Sequence, residues 1–279
     1  MTYQTKPTIS VIMTTFNRNV QLYRTLRTIE RSTVQDVEII VVDDGGTEEE
    51  RFDDLAMYRW RFPIRLTRLH TGKKTWVNPC VSFNIGIAQA RGTVILIQNA
   101  ECLHCGDVLR YALDNVDHNS FLSFSCYGIN QETTQRLNDI SFSARSPDLL
   151  NQISQSIGAP LYAPTTDASI NGWLNHPTIK PKFYHYAAAL TRDGMARVGA
   201  FDWQFADGFC FDDDDFLLRI NAAGLTMSIV PAERGYVLHQ WHPAPMQEMI
   251  DSNYPRYLEL HTLNKHRHEQ NKLNLRGKI

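Results

Sequence analysis

Val37-Glu38-Ile39-Ile40-Val41-Val42-Asp43-Asp44-Gly45-Gly46 is the stretch on which the fold turns. It is a short apolar, β-branched run that ends abruptly in two acids and two glycines, which reads as a buried strand and its turn. Upstream, Ile9-Ser10-Val11-Ile12-Met13-Thr14-Thr15 has the same character and is broken by Phe16-Asn17-Arg18-Asn19. Between the two runs, Leu22, Leu26 and Ile29 share one helical face. Downstream, a polar helix is expected from about Glu48 to Arg59. Ile64 to Leu69 reads as a third strand, and His70 to Asn78 as a basic loop. Val81 to Ala90 reads as a helix stopped by Gly92, and Thr93 to Ile97 as a fourth strand. Strand–helix–strand alternation at this spacing implies parallel pairing with right-handed crossovers. Ligands of such sheets sit beyond the carboxyl ends of the strands. Three polar tips therefore converge on one crevice: Thr14 to Arg18, Asp43-Asp44, and Gln98-Asn99-Ala100-Glu101.

Composition bounds the rest. The chain has 279 residues, 43% of them hydrophobic, enough for a well-filled α/β core. A formal net charge of -2 leaves no electrostatic footprint for nucleic acid. No apolar run approaches a membrane span, and Met1 to Pro7 lacks the apolar run of a signal peptide, so a cytoplasmic location is expected. Five cysteines, at 80, 102, 105, 126 and 210, show no disulfide framework. The lone Cys102-Leu103-His104-Cys105 reads as small buried thiols rather than a zinc site.

The second half is less regular. Residues 118–182 read as loops with a few strands around the crevice. Tyr186 to Leu190 and Met227 to Val230 are expected strands, and Asp214 to Ala223 a helix stopped by Gly224. The expected organisation is one domain over 1–245, with a nucleotide-binding half at about 8–117 and an acceptor half at about 118–245. From Met246 to 279 follows a helical, basic tail, open to docking on a second copy, on an anionic surface or on the domain itself.

Four places carry candidate chemistry. The Asp43-Asp44 carboxylates accept hydrogen bonds only, so they can take the N3–H of uracil or the N1–H/N2–H of guanine; the competing reading is an ordinary Asp-Gly turn. Glu101, with the Asn99 carbonyl, offers oxygen ligands for Mg²⁺ or Mn²⁺ on a diphosphate, against a plain helix cap. In Asp212-Asp213-Asp214-Asp215, helical phase turns Asp213 toward the protein and lets Asp215 pair with Arg219. A partly desolvated Asp beside other acids has a raised pKa, which suits a general base; acids at a helix start are the plain alternative. His239, and less so His242, could complete a metal site. Lys73 and Lys74 could screen a diphosphate. Trp76 and Trp173 could stack on a sugar, with packing the simpler reading of each.

Together these segments resemble the inverting family 2 glycosyltransferases of the GT-A fold. The resemblance runs from Ile9 to His242. It rests on Ser10 to Arg18, on Ile39 to Gly46, on Asn84-Ile85-Gly86-Ile87-Ala88-Gln89-Ala90-Arg91-Gly92, on Val198 to Asp202 and on Asp212 to Arg219. It implies a GT-A (Rossmann-like), mostly parallel sheet flanked by helices, with an irregular acceptor side. It also implies inverting transfer from a nucleotide-sugar, UDP-sugar favoured, to a glycan, lipid-linked or protein acceptor, with a divalent cation. Nucleotide contacts would fall to Thr14, Thr15, Asn17, Arg18, Asp43, Asp44, Lys74 and Asn84. The metal would fall to Glu101, Asn99 and His239, and the acceptor hydroxyl to Asp213. The family's Asp-x-Asp stands here as Asn99-Ala100-Glu101, one charge short. Two other readings stay open: a catalytically reduced binding protein of the same fold, and a nucleotidyltransferase, whose glycine-rich basic loop after the first strand has no counterpart at Thr14 to Arg18.

Overall fold

The computed structural model describes residues 7–47, 55, 58–70, 72, 74–143, 145–157, 171–243 and 245–276. In chain order they form β1 (Ile9–Thr15), α1 (Asn19–Ile29), β2 (Val37–Asp43), β3 (Ile64–Arg68), α2 (Cys80–Gln89), β4 (Val94–Asn99), β5 (Cys102–Cys105), α3 (Val108–Asn115), β6 (Ser120–Gly128), α4 (Gln131–Arg136), α5 (Leu149–Ile157), β7 (Gly172–Asn175), β8 (Ala187–Thr191), α6 (Arg192–Val198), α7 (Asp212–Ala222), β9 (Thr226–Val230), β10 (Tyr236–His239) and α8 (Pro245–Arg276). The strands join in one curled sheet, in the order β3-β2-β1-β4-β8-β6-β10-β5, with β7 and β9 also paired to β6.

Strands β3, β2, β1 and β4 are parallel, as the alternation of elements requires. Their side chains divide by parity. Val11, Met13, Ile39 and Val41 face α1 and its buried Leu22, Leu26 and Ile29. Ile12, Ile40 and Val42 face the α2 side, with Val81 and Phe83. This is the period-two pattern of a sheet covered on both faces. Helix α2 lies very close to β1: a Cβ on Gly86 would come within 2.5 Å of Ile12. Its buried side runs through Phe83 and Gly86, whereas Ala88 is exposed.

Register levels the strand ends. Thr14 pairs with Asn99 and Thr15 with Asp43, so the three polar tips lie along one edge. Two elements depart from the sequence expectation. Glu101 does not lead into a helix but into β5, which turns back to pair antiparallel with β10, Cys102 opposite His239. In the stretch expected as irregular runs β6, buried along most of its length. Its first half pairs with β8 and β9, its second with β10 and β7. The five cysteines are free, and Cys102 and Cys105 are buried. Trp173 is buried against Tyr127, in keeping with packing.

Helix α8 is broken at Asn253, where φ is -153° and ψ 69°. Beyond the break it packs on α7 and buries Leu260, Asn264 and His268. No helix among the described residues is long and apolar enough to cross a membrane. The helix expected at about Glu48 to Arg59 falls mostly outside the described residues, as does Lys73.

Candidate functional site

A cavity of about 640 Å³ opens at the carboxyl edge of β1, β2 and β4. Thr14, Thr15, Arg18, Asp44, Lys74 and Asn99 line one side; His185, Asp212 and Asp213 line the other, with Met246 and Met249 of α8.

Asp44 is the best-held group on the first side. It is 7% exposed. Oδ1 accepts from Trp76 Nε1 at 2.8 Å and from the Ser82 hydroxyl at 2.6 Å; Oδ2 accepts from Lys74 Nζ at 2.7 Å. Three of the roughly four acceptor positions of the carboxylate are thus taken from within the fold. Asp43 closes the turn instead, accepting from Gly46 N at 2.9 Å. Asn17, at φ 52°, accepts from Thr47 N at 2.9 Å and so ties the first turn to the second. Asn84 differs most from its expected place. Its amide donates to Phe201 O and accepts from Phe201 N, both at 2.9 Å, so it anchors the loop after α6 rather than lining the cavity. Asp43, Asn17 and Asn84 are absent from the cavity lining.

Behind Arg18 and Asn99 lies Glu101, 1% exposed. Pairing of β5 with β10 brings His239 beside it, and the chain returns three residues later with His242. Each Nε2 is 3.2 Å from Glu101 Oε1. Ligand atoms of the three residues lie within 4.8 Å of one another. Arg18 Nη1 sits 3.1 Å from both carboxylate oxygens. Burial alone would raise the Glu101 carboxyl, but the Arg18 charge and the two histidine contacts outweigh it and hold it well below the usual range. One carboxylate oxygen and two imidazole nitrogens suit a divalent cation. Nitrogen donors favour Mn²⁺ over Mg²⁺, which prefers oxygen throughout. His242, weighted lightly from sequence, has the same distance to Glu101 as His239.

The opposite wall is built under strain. Cys210 and Phe211, at φ 62° and 66°, are two successive non-glycine residues in the left-handed region, immediately before α7. Such residues cost on the order of 1 kcal/mol or more each and persist only when their surroundings hold them. Here α8 holds them: Asn264 Nδ2 donates to Phe205 O and Cys210 O, both at 3.0 Å. Gly208 passes so near that a Cβ would lie 2.4 Å from Asn264 Oδ1. The stretch expected as a tail is therefore a brace for the acidic helix start.

The four acids divide in a way that helical phase did not foresee. Asp215 is buried and accepts from Asn271 at 2.8 Å; Arg219 turns away to the carbonyls of Val198, Gly199 and Ala200. The expected Asp215–Arg219 ion pair is not formed. Asp214 accepts from the Tyr184 hydroxyl at 2.8 Å. Asp212 is buried and accepts from Asn78 Nδ2 at 2.9 Å. Burial, then the neighbouring Asp213 charge, push the Asp212 carboxyl up to about 6, and burial also raises Asp215. Asp213 faces the cavity with its side chain 35% exposed, and its Oδ1 lies 2.5 Å from Nδ1 of His185. Sequence reading missed His185. It carries no motif and precedes its strand by two residues, so only the fold brings it to Asp213.

Comparison with known proteins agrees with this architecture. Residues 10–171, more than half of the chain, match the model of glycosyl transferase family 2. Among solved structures, S. aureus TarS 1-349 in complex with UDP-GlcNAc is similar with a TM-score of 0.55 and 15% identity, over 85% of this chain and 59% of that one. The mannosyltransferase PcManGT from Pyrobaculum calidifontis, in complex with GDP-Man and Mn²⁺, gives 0.51 and 17%, over 89% and 61%. This chain thus spans about three fifths of those proteins, and at such identities the likeness is one of fold. No functionally curated protein matches significantly. By its family match the chain belongs to glycosyl transferase family 2, and by its architecture it has the GT-A fold.

Proposed function

We propose that the protein is an inverting glycosyltransferase that moves a sugar from a UDP-sugar to an acceptor hydroxyl. The observation that carries this reading is one cavity with Asp44 and Lys74 on one wall and Asp213 on the other. A nucleotide-sugar laid between them has its base at Asp44 and its sugar toward Asp213. Asp44 supports uridine over guanosine. With three acceptor positions filled, it has room for one more donor, as uracil N3–H requires, and not for the paired N1–H/N2–H of guanine.

In the proposed reaction Asp213 takes the proton of the acceptor hydroxyl as its oxygen attacks the anomeric carbon. The bond from that carbon to the diphosphate oxygen breaks, and the electron pair leaves with UDP. Attack from the face opposite the leaving group inverts the configuration. Lys74 and Arg18 stand where they can hold the charge that develops on the diphosphate. Glu101, His239 and His242, with the Asn99 carbonyl at the cavity edge, would hold a divalent cation, which when bound would neutralise that same charge. The acceptor is a hydroxyl-bearing glycan, lipid-linked or protein group.

A thermal-shift series with UDP, UDP-sugars and GDP-sugars, with and without Mn²⁺, tests donor and metal together, since a ligand bound only by the native state raises its stability. UDP compounds should stabilise more than GDP compounds, and Mn²⁺ should add to the effect. Equal shifts for both nucleotides would sink the assignment of Asp44. One observation favours a second reading, a binding protein with reduced catalysis: Asn99 is neutral and Arg18 already occupies both oxygens of Glu101. Release of UDP from a UDP-sugar, stimulated by Mn²⁺, excludes that alternative.

A further inference from the structure

His185 is a buried histidine with one polar neighbour. Its ring is walled by Phe83 of α2 at 4.7 Å, by Phe201 at 5.0 Å and by Phe216 of α7 at 6.5 Å, all edge-on. Those rings bring no charge. Its Nδ1 lies 2.5 Å from Asp213 Oδ1, close enough for an ion pair but out of hydrogen-bond alignment, and among the described residues neither atom makes a hydrogen bond. The other groups nearby are committed or neutral. Asp212 accepts from Asn78, the Tyr184 hydroxyl is spent on Asp214, and burial pushes the Cys80 thiol up, so that it stays protonated.

We propose that His185 is the positioning residue for Asp213: two buried, unsatisfied atoms face each other, and a small turn of the ring lets Nδ1–H donate to Oδ1, which fixes the carboxylate in one orientation and leaves Oδ2 to meet the acceptor hydroxyl. This inference rests on the reading of Asp213 as the base. The need for such a partner follows from the acidic run. Four adjacent carboxylates repel, and of the two that line the cavity Asp213 is the more exposed, so an unheld side chain would swing into water. The order of the pair also reverses that of a Ser-His-Asp triad, in which a buried acid orients a histidine that meets the substrate. Here the histidine is buried and the acid meets the substrate.

The pair has a proton inventory of its own. Burial by itself would lower the His185 pKa, but the Asp213 charge and contact, and then the Asp212 charge, outweigh it and raise it above the ordinary 6.5. Below that pKa an imidazolium faces Asp213 and weakens it as a base. Above it a neutral ring keeps the Nδ1–H contact without the charge. Turnover should therefore climb as pH rises through the His185 titration, while the carboxylate stays oriented on both sides of the step.

The test has two arms. The first uses the full chain labelled with ¹⁵N-histidine and no substrate. His185, assigned by the signal lost in His185→Phe, should titrate above 6.5 and fall by about one pH unit or more in Asp213→Asn. Asp213→Ser serves should that variant not fold. A midpoint at or below 6.5, or one indifferent to both changes, overturns the proposal. The second arm follows UDP release from UDP-GlcNAc and UDP-glucose between pH 5.5 and 9. His185→Asn, which keeps a donor near the place of Nδ1, should stay within a few fold of wild type and lose the pH step. His185→Phe should lose tenfold or more in kcat with KM for the donor unchanged. Wild-type rates and pH profile in His185→Phe would overturn this proposal alone, whereas turnover retained in Asp213→Asn would sink the reading of the base beneath it.

Discussion

Glu101, behind Arg18 and Asn99 of one cavity wall, and Asp212, on the opposite wall, are both buried carboxylates, and the fold pushes them in opposite directions. Glu101 lies among Arg18, His239 and His242 and is held well below the usual range. Asp212 lies beside another carboxylate and is pushed up to about 6. Burial acts on both alike, so it is the sign of the neighbours that separates them. Behind one end of the cavity stands a fixed negative charge beside Arg18 and two imidazoles, suited to a metal and a diphosphate. The other end keeps protons in play, suited to drawing one from an acceptor. A pair of titratable groups driven apart in this way is the usual mark of divided roles in a site.

The sharpest way to break this division is at the proton-handling end. Asp213→Asn keeps shape and removes the acceptor of the proton. It should lower UDP release by roughly 10²- to 10⁴-fold, with UDP affinity by calorimetry unchanged. A parallel loss of affinity would mean that the acid belongs to donor binding, and the two ends would not be separate. Next in size is Asp44→Ala, which strips Lys74, Trp76 and Ser82 of a shared acceptor. Charged hydrogen bonds of ~1.5–3 kcal/mol predict a UDP affinity lower by roughly 10- to 100-fold. The preference for UDP over GDP should shrink with it. A variant that binds weakly but keeps its full preference would put base selection elsewhere.

At the cationic end the expected change is a gain. Arg18 occupies both oxygens of Glu101, so a metal must share or displace that charge. Unit charges about 4 Å apart exchange ~4 kcal/mol at an effective dielectric constant near ~20. Arg18→Gln should raise Mn²⁺ affinity roughly tenfold or more, read by the electron paramagnetic resonance of free Mn²⁺ without nucleotide. Equal affinity in the variant would show that Arg18 does not compete.

The two ends also differ in how far they could be read from the chain. The parallel strands and the tips at Thr14, Asp44 and Glu101 were legible, because continuous apolar runs ending in polar residues specify both element and edge. The strand β6 was not: its serines break the apolar run, yet Ser123 and Ser125 are buried and donate to the backbone at Tyr184 and Val230. Phase alone misjudged the acids of α7, since Asn78, Asn271 and His185, from three distant segments, decide which carboxylate is buried with what. The brace by α8 had no signal beyond helix propensity. Asn264 and Asn271 look like surface residues until α7 is packed against them.

The smallest expected effect concerns stability, and its sign distinguishes the two buried acids. Asp212 has a folded pKa of about 6, above the ordinary 3.8. Between those values the folded state binds more protons than the unfolded one, so the contribution of this residue to stability falls as pH rises through that window. Above pH ~6 the fold carries a desolvated charge beside Asp213. Asp212→Asn removes that charge and keeps an oxygen to accept from Asn78. It should therefore raise Tm by a few degrees at pH 8, and the gain should fade as pH drops below about 6 toward 4, where the native acid is already protonated. Glu101→Gln should do the reverse at pH 8, because there the charge is compensated by Arg18 and its loss leaves that guanidinium without its buried counter-charge. Should Asp212→Asn destabilise at pH 8 as Glu101→Gln does, the opposition between the ends would fail, and Asp212 would have to be read as a structural anion rather than as part of the proton-handling wall.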